Sequence, residues 1–305
     1  MTIPEGTLEG WTTQGAVTNS KRTYQSVQNA VNNERYGLGD FEHNYRIHLQ
    51  GSYANHTNLW GSNDVDVVVK LTKPFEEDLS GLSLGEKQRF WDQYSESDYT
   101  FQEFYQTVLA ALKNYFGIGN VDPGSKAIKV KSNDETNIPV DADVVACVEY
   151  RNYNAFPENG EENWTEGMYF KTQQLISKTI INYSEEHRRN GSQKNGNTNM
   201  NYKPTIRMFK KARDHAISRD YIGSNAVSSY YIEGLLFNIA NSKFKMTSLQ
   251  DRYLSVVEYL EASDVTEFEE QSKQYDLCVD HESERWNVSD AEDTIWAFRE
   301  LWEEW

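Results

Sequence analysis

The stretch LQGSYANHTNLWGSNDVDVVVKL, residues 49–71, decides how the rest of the chain is read. Its end, VDVVVKL at 65–71, has the β-branched density of a buried strand. Asp64 and Asp66 stand i, i+2 at the entry to that strand, so both carboxylates leave it on one face. Its beginning closes the alternating run YRIHLQGS on Gly51-Ser52, a strand followed by a turn. A Gly-Ser turn frees backbone N–H groups and a hydroxyl for phosphate oxygens. Most such turns are only turns, but this one is separated from Asp64 by eleven residues, which makes it more informative.

A second strand, IPVDADVVACVEY at 138–150, repeats the arrangement with Asp141 and Asp143. For any single aspartate a solvated strand end is the better reading. For two acidic pairs, each abutting a Val-rich strand, it is the weaker one, because such carboxylates are costly unless cations neutralise them. Magnesium suits a carboxylate cluster that also meets substrate phosphates, with manganese as the alternative. Three carboxylates holding two ions about 4 Å apart stabilise the attacking and leaving oxygens of a phosphoryl transfer.

Outward from these strands, 16–36 reads as a polar helix, and Pro74 is expected to end the strand at 65–71. An acidic connection follows to about residue 96, and Ser97-Asp98 opens a helix with Phe101, Phe104, Tyr105, Val108, Leu109, Leu112, Tyr115 and Phe116 on one face. AIKVK at 127–131 is a further strand. Helices are expected at 169–183, 203–218, 226–241, 248–262 and 288–305, with loops at 153–167 and 187–202. The stripe Ile295, Phe298, Leu301, Trp302, Trp305 reads as core.

The net charge of −17, from 47 acids against 30 bases, disfavours long nucleic acid as a partner. Against that background, nine bases and one acid lie between His187 and Arg219. Lys203, Arg207 and Lys210 share a helix face there. The common fate of such a run is a salt-bridged or solvated face. Beside an upstream acid cluster, a triphosphate pocket is the stronger reading. No run of about 18 apolar residues is present, so no membrane is expected. The N-terminus does not read as a signal peptide, and Cys147 and Cys278 have no metal or disulfide spacing, so a cytoplasmic home is expected. His56 and His187 are loop histidines, each able to touch a nucleotide or simply be solvated. Trp60 is as ready to pack in a core as to stack on a base.

LQGSYANHTNLWGSNDVDVVV resembles the signature of the DNA polymerase β-like nucleotidyltransferases: Gly-Ser, a spacer, then Asp-x-Asp flanked by apolar residues. GSYANHT, ADVVACVEYRNY, IINYSEEHRRNGSQKN, YKPTIRMFKKARD and SSYYIEGLLFN resemble, in order, blocks of the bacterial cGAS/DncV-like nucleotidyltransferases over about residues 45–240. The resemblance implies an α+β chain: a polymerase β-like nucleotidyltransferase lobe, a mixed β-sheet with helices, at 1–160, and a C-terminal helical bundle lobe at 161–305. It implies that Asp64, Asp66 and Asp143 bind the metal ions and are catalytic, with Asp141 as the fallback for the third. Gly51 and Ser52 would cradle the donor phosphates, and Lys210 and Ser229 would contact the triphosphate, with Lys211 and Ser228 as neighbouring alternatives. Where the family usually has Pro after Asp-Val-Val, Ala146 stands here, a change that removes no ligand.

The implied activity joins nucleoside triphosphates, with release of pyrophosphate, into a cyclic di- or oligonucleotide. That product would be a messenger in bacterial defence against phage, sensed by a downstream effector. The runner-up readings are a nucleotidyltransferase that modifies a small molecule or protein, and a silent nucleotide-binding regulator.

Overall fold

The structure, a computed structural model, describes residues 2–39, 41–61, 64–281 and 285–305. Ser62 and Asn63, in the spacer before Asp64, lie outside the described residues. In chain order the elements are α1 (Glu5–Thr12), α2 (Thr18–Val31), β1 (Asn44–Leu49), α3 (Gly51–Asn55), β2 (Asp64–Asp78), α4 (Leu84–Gln93) and α5 (Phe101–Phe116). There follow β3 (Val121–Pro123), β4 (Ile128–Val130), β5 (Asp141–Ala155), β6 (Asn163–Lys171) and β7 (Thr179–Asn182). The remainder is α6 (Ser184–Asn197), α7 (Tyr202–Ser218), α8 (Ser229–Phe237), α9 (Leu249–Glu261) and α10 (Val288–Glu303). They fall into two compact units, one of Val17–Tyr53 with Asn63–Ser184 and the other of Met1–Ala16, Ala54–Ser62 and Glu185–Trp305.

This division differs from a single boundary at residue 160. In the first unit β6 and β7 extend the sheet past that point, because β6 pairs antiparallel with β5 and β7 with β6. In the second, α1 joins the helices through Leu8 and Trp11, with Ile3 just ahead of it in the same core. The Trp11 ring stacks on His215, centroids 4.8 Å apart, and meets Trp305 edge-on at 5.5 Å.

The sheet of the first unit runs β1-β2-β5-β4-β3. Val65, Val67, Val69 and Leu71 of β2 are buried with Val27 and Val31 of α2 and Phe104, Val108 and Leu112 of α5. Each such side chain contributes about 1.5–3 kcal/mol by leaving water. Because strand residues alternate, burying these four turns Asp64 and Asp66 to the opposite face. The α5 helix starts one turn later than Ser97-Asp98 suggested. Its N-cap is Thr100, whose side chain and Glu103 form a capping box.

Four other expectations are corrected. Pro74 does not end β2, which runs to Asp78; the ladder to β5 breaks after Leu71 and resumes at Glu76, and an irregularity tolerates the missing N–H. The acidic connection contains α4, begun by a capping box between Ser83 and Glu86. Residues 169–183 are strand and hairpin, not helix, and Leu175 and Ile176 in the connection are fully and largely exposed. The loops expected at 153–167 and 187–202 are mostly the ends of β5 and β6 and the polar helix α6.

In the helical unit, α7, α8, α9 and α10 surround Phe209, Tyr253 and Phe298. Phe209 stacks on Tyr253 at 4.8 Å and meets Phe298 edge-on at 5.0 Å. Ile295, Phe298, Leu301 and Trp302 are core, as their spacing suggested. Among the described residues no helix is long and apolar enough to cross a membrane, and Cys147 and Cys278 are free and buried.

Candidate active site

Strand pairing gathers the acids. β2 and β5 are parallel neighbours in a register that sets Asp64 beside Asp141 and Asp66 beside Asp143. Paired residues share a face, so all four carboxylates project from the side of the sheet away from α2 and α5. On the far side of β5, Lys129 of β4 pairs with Asp143 and places its ammonium 3.1 Å from Asp141 Oδ2.

The four acids are not equivalent. Asp141 accepts from the Ser132 N–H at 2.7 Å and its hydroxyl at 2.8 Å. Burial tends to raise its carboxyl, but Ser132 and Lys129 outweigh that and hold it below the usual range. Asp143 is pushed the other way, first by burial and then by the charge of Asp64. Asp141 is thus committed to its neighbours, whereas Asp143, set beside Asp66, feels the charge of Asp64. Among the described residues no three His, Cys, Asp or Glu side chains come close enough to hold a metal ion. Like-charged carboxylates repel one another, and a cation would have to draw these together. The donor set, carboxylate oxygens alone, is that of magnesium or manganese.

The Gly51-Ser52 turn is built into this cluster. Gly51 has φ +65°, and a Cβ there would lie 2.0 Å from Asp66 Oδ2. Only glycine therefore satisfies both the backbone and the carboxylate. The Gln50 N–H donates to the Asp66 carbonyl at 3.0 Å, which pins the turn along β2. Tyr53, one residue beyond Ser52, is buried, and both burial and Asp64 raise its hydroxyl.

The bases of the island in the helical unit are mostly paired within that unit. Arg207 donates to the carbonyls of Thr12 and His56, each at 2.6 Å. Arg188 pairs with Glu185, Arg189 with Glu186, and Lys194 donates to the Ile239 carbonyl at 2.7 Å. Lys210 is 1 % exposed, with Nζ 2.6 Å from Glu233 Oε1 and 3.1 Å from Thr57 Oγ1. A phosphate contact by Lys210 therefore requires the ammonium to exchange Glu233 for a phosphate oxygen. Ser229 opens α8 and accepts from Arg213 at 3.2 Å, while Ser228 is the N-cap, accepting from the Tyr231 N–H. Lys211 lies 3.9 Å from Asp214. Lys203 is half-buried, its ammonium pushed down by burial, and it donates to the Ser192 hydroxyl at 3.2 Å.

His187 is not a solvated loop residue. It lies in α6, 4 % exposed, with Nε2 2.8 Å from Glu233 Oε2. His56 and Trp60 are exposed, Trp60 by 63 %, so Trp60 is no core residue. Sequence reading missed Glu233. A lone acid inside the apolar helix SYYIEGLLF was the available signal, since a buried carboxylate must find partners.

Residues 189–303 match the model of the cGAS/DncV-like nucleotidyltransferase C-terminal helical domain. The whole chain aligns with 99 % of the cyclic UMP-AMP synthase of Rhodothermus marinus at 38 % identity over 307 residues. It aligns at 33 % with the full length of the cyclic nucleotide synthase CdnE01 of Staphylococcus haemolyticus. The solved structure of the Rhodothermus marinus synthase with Apcpp and Upnpp superposes with a TM-score of 0.87, covering 99 % of this chain and 97 % of that one at 36 % identity. The chain belongs to the cGAS/DncV-like nucleotidyltransferases, and its mixed sheet and helical unit are the two parts of that fold.

Proposed function

We propose that this nucleotidyltransferase joins two nucleoside triphosphates into a cyclic dinucleotide. The observation that carries the proposal is its full-length similarity, at 38 % identity, to a cyclic UMP-AMP synthase. A ribose hydroxyl oxygen of one nucleotide attacks the α-phosphorus of the other. The bond from that phosphorus to the bridging oxygen breaks, pyrophosphate leaves, and the hydroxyl proton passes to Asp143. The same exchange, run a second time within the linear product, closes the ring.

Asp64, Asp66 and Asp143 are the proposed ligands of magnesium, or manganese. Bound there, the ion supplies charge neutralisation at the triphosphate. Their shared sheet face and all-oxygen chemistry support this role. Gly51 and Ser52 hold the donor phosphates with freed N–H groups and the Ser52 hydroxyl. Lys210 and Ser229 are proposed triphosphate contacts in which phosphate oxygens replace Glu233 and Arg213 as partners. Phosphoryl-type transfer asks little more of a protein than positioning and charge. The proposed setting is the cytoplasm, where a separate effector reads the product during defence against phage.

Incubation with the four nucleoside triphosphates and magnesium, followed by phosphatase and mass spectrometry, tests the reading. A phosphatase-resistant dinucleotide is expected, with UTP plus ATP the first pair to try. Transfer only to an added protein or small molecule would refute it. Gly51→Ala is expected to reduce turnover about a hundredfold, since the methyl group must displace the Asp66 carboxylate or the turn by about 1 Å or more. Pyrophosphate release at saturating substrate measures this, and wild-type turnover would remove the turn from the site.

A further inference from the structure

A cavity of about 550 Å³ opens in the sheet unit, lined by the stretch of β2 from Leu71 to Glu77, by α4 and its connection to α5, and by Phe101. β1 pairs with β2 as far as Lys73, and past that point β2 lines the cavity. It is remote from the aspartates. Asp64 and Glu76 have Asp141 and Tyr150 as their partners on β5. Nine residues of strand between those partners span about 30 Å, so the cavity is no part of the acid site.

Two kinds of side chain meet there. Phe75, Trp91 and Tyr94 supply rings, with Tyr94 edge-on to Phe75 at a centroid distance of 5.3 Å. Arg151 already lies over the Phe75 ring at 3.7 Å, whereas Trp91, 45 % exposed, carries no cation among the described residues. Glu76, Glu77 and Glu96 supply charge. Among the described residues none of the three forms an ion pair, and Lys73, which also lines the cavity, pairs with none of them. Burial pushes the carboxyls of Glu76 and Glu77 up; Lys171 eases the first, while Glu76 and Glu96 push the second further.

An exposed glutamate at a strand edge needs only water, but a half-buried one stays costly until a cation reaches it. Among the described residues no three acids gather closely enough to hold a metal ion. The charge is instead spread along an aromatic wall, which suits positive centres spaced apart on an apolar stem. A cation over an open indole face is attracted by the ring as well. The volume lies within the roughly 300–1,000 Å³ of small-molecule sites.

We propose that this cavity binds an aliphatic polyamine, its methylene stem against Trp91 and Tyr94 and its ammonium groups against Glu76, Glu77 and Glu96. The site stands apart from the synthase reading, because all of its lining belongs to the sheet unit.

Calorimetric titration of the protein with spermidine, at constant ionic strength and without nucleotide, should show one site per chain. A diol of the same length, which lacks the charge, should not bind. Glu76→Gln/Glu77→Gln should weaken spermidine binding about tenfold, and Trp91→Ala about threefold or more. The glutamines relieve repulsion between neighbouring acids, so the ligand-free thermal midpoint should not fall. Should that variant fail to fold, Trp91→Ala, at an exposed position, carries the test. Glu292→Gln/Asp293→Asn removes as much charge from exposed positions of α10 and should leave the affinity within about twofold. Absent binding, binding spread over several equivalent sites, or an equal loss in the α10 variant overturns the proposal. Wild-type affinity in folded Glu76→Gln/Glu77→Gln or in Trp91→Ala overturns it as well.

Discussion

Asp66→Ala is expected to lower pyrophosphate release from nucleoside triphosphates by on the order of 10³-fold or more, about 4 kcal/mol of transition-state stabilisation. The protein should stay folded, because Asp66 lies on the face of β2 turned away from the helices that bury Val65, Val67 and Val69. Removing a carboxylate from a group of four also relieves repulsion, so the thermal midpoint should not fall. Asp64→Ala carries the same expectation. The third position is decided by ranking Asp143→Ala against Asp141→Ala. Asp141 already answers to Ser132 and Lys129, so its loss should cost much less turnover than the loss of Asp143. The reverse ranking would move the third position to Asp141. Full activity in either Asp64→Ala or Asp66→Ala would sink the assignment.

The two acid-bearing strands were legible because their signal is local. Apolar density at 65–71 and two i, i+2 acid pairs are enough to place four carboxylates on strand faces, and only the parallel register of β2 and β5 had to come from the structure. The helical unit was less legible, for a physical reason. α6 presents His187, Gly191 and Asn195 to its neighbours at a spacing of four, a helical period written in polar and small residues that an apolar scan passes over. Charge runs mislead in a similar way. Arg188 and Arg189 find Glu185 and Glu186 within one turn, whereas the partners of Arg207 and Lys210 are far away in sequence, at Thr12, His56 and Thr57. Nothing in the island itself announced that these cations hold loops in place.

Lys210→Met is expected to lower unfolding free energy by about 3–5 kcal/mol at neutral pH, because it strips the ammonium from a carboxylate that stays buried. Methionine keeps the length and apolar stem of the side chain, so the loss reports charge and not a cavity. For a folding unit of this size the thermal midpoint should drop on the order of 10 °C. The pH dependence supplies the sign. Burial alone would raise the Glu233 carboxyl, but Lys210 and His187 outweigh it and hold it far below the usual carboxylate range. In the wild type the contribution of Glu233 is therefore complete above the unfolded carboxylate pKa, and it is lost progressively as pH falls from that value through the depressed folded one. Without Lys210, burial gains the upper hand and the folded carboxyl rises. A group raised on folding stabilises most below its unfolded pKa and loses that stability as pH increases. The deficit of Lys210→Met relative to wild type should thus be largest at neutral pH and shrink on acidification towards pH of about 4–5. Denaturant titrations at several pH values measure it. A deficit under about 1 kcal/mol at pH 7 would show that the pair contributes no more than an exposed ion pair does. Triphosphate affinity of the same variant, taken below its midpoint, separates the two roles of the ammonium. A weakened Kd reports an exchange from Glu233 to phosphate, and an unchanged one confines Lys210 to the network that holds Thr57.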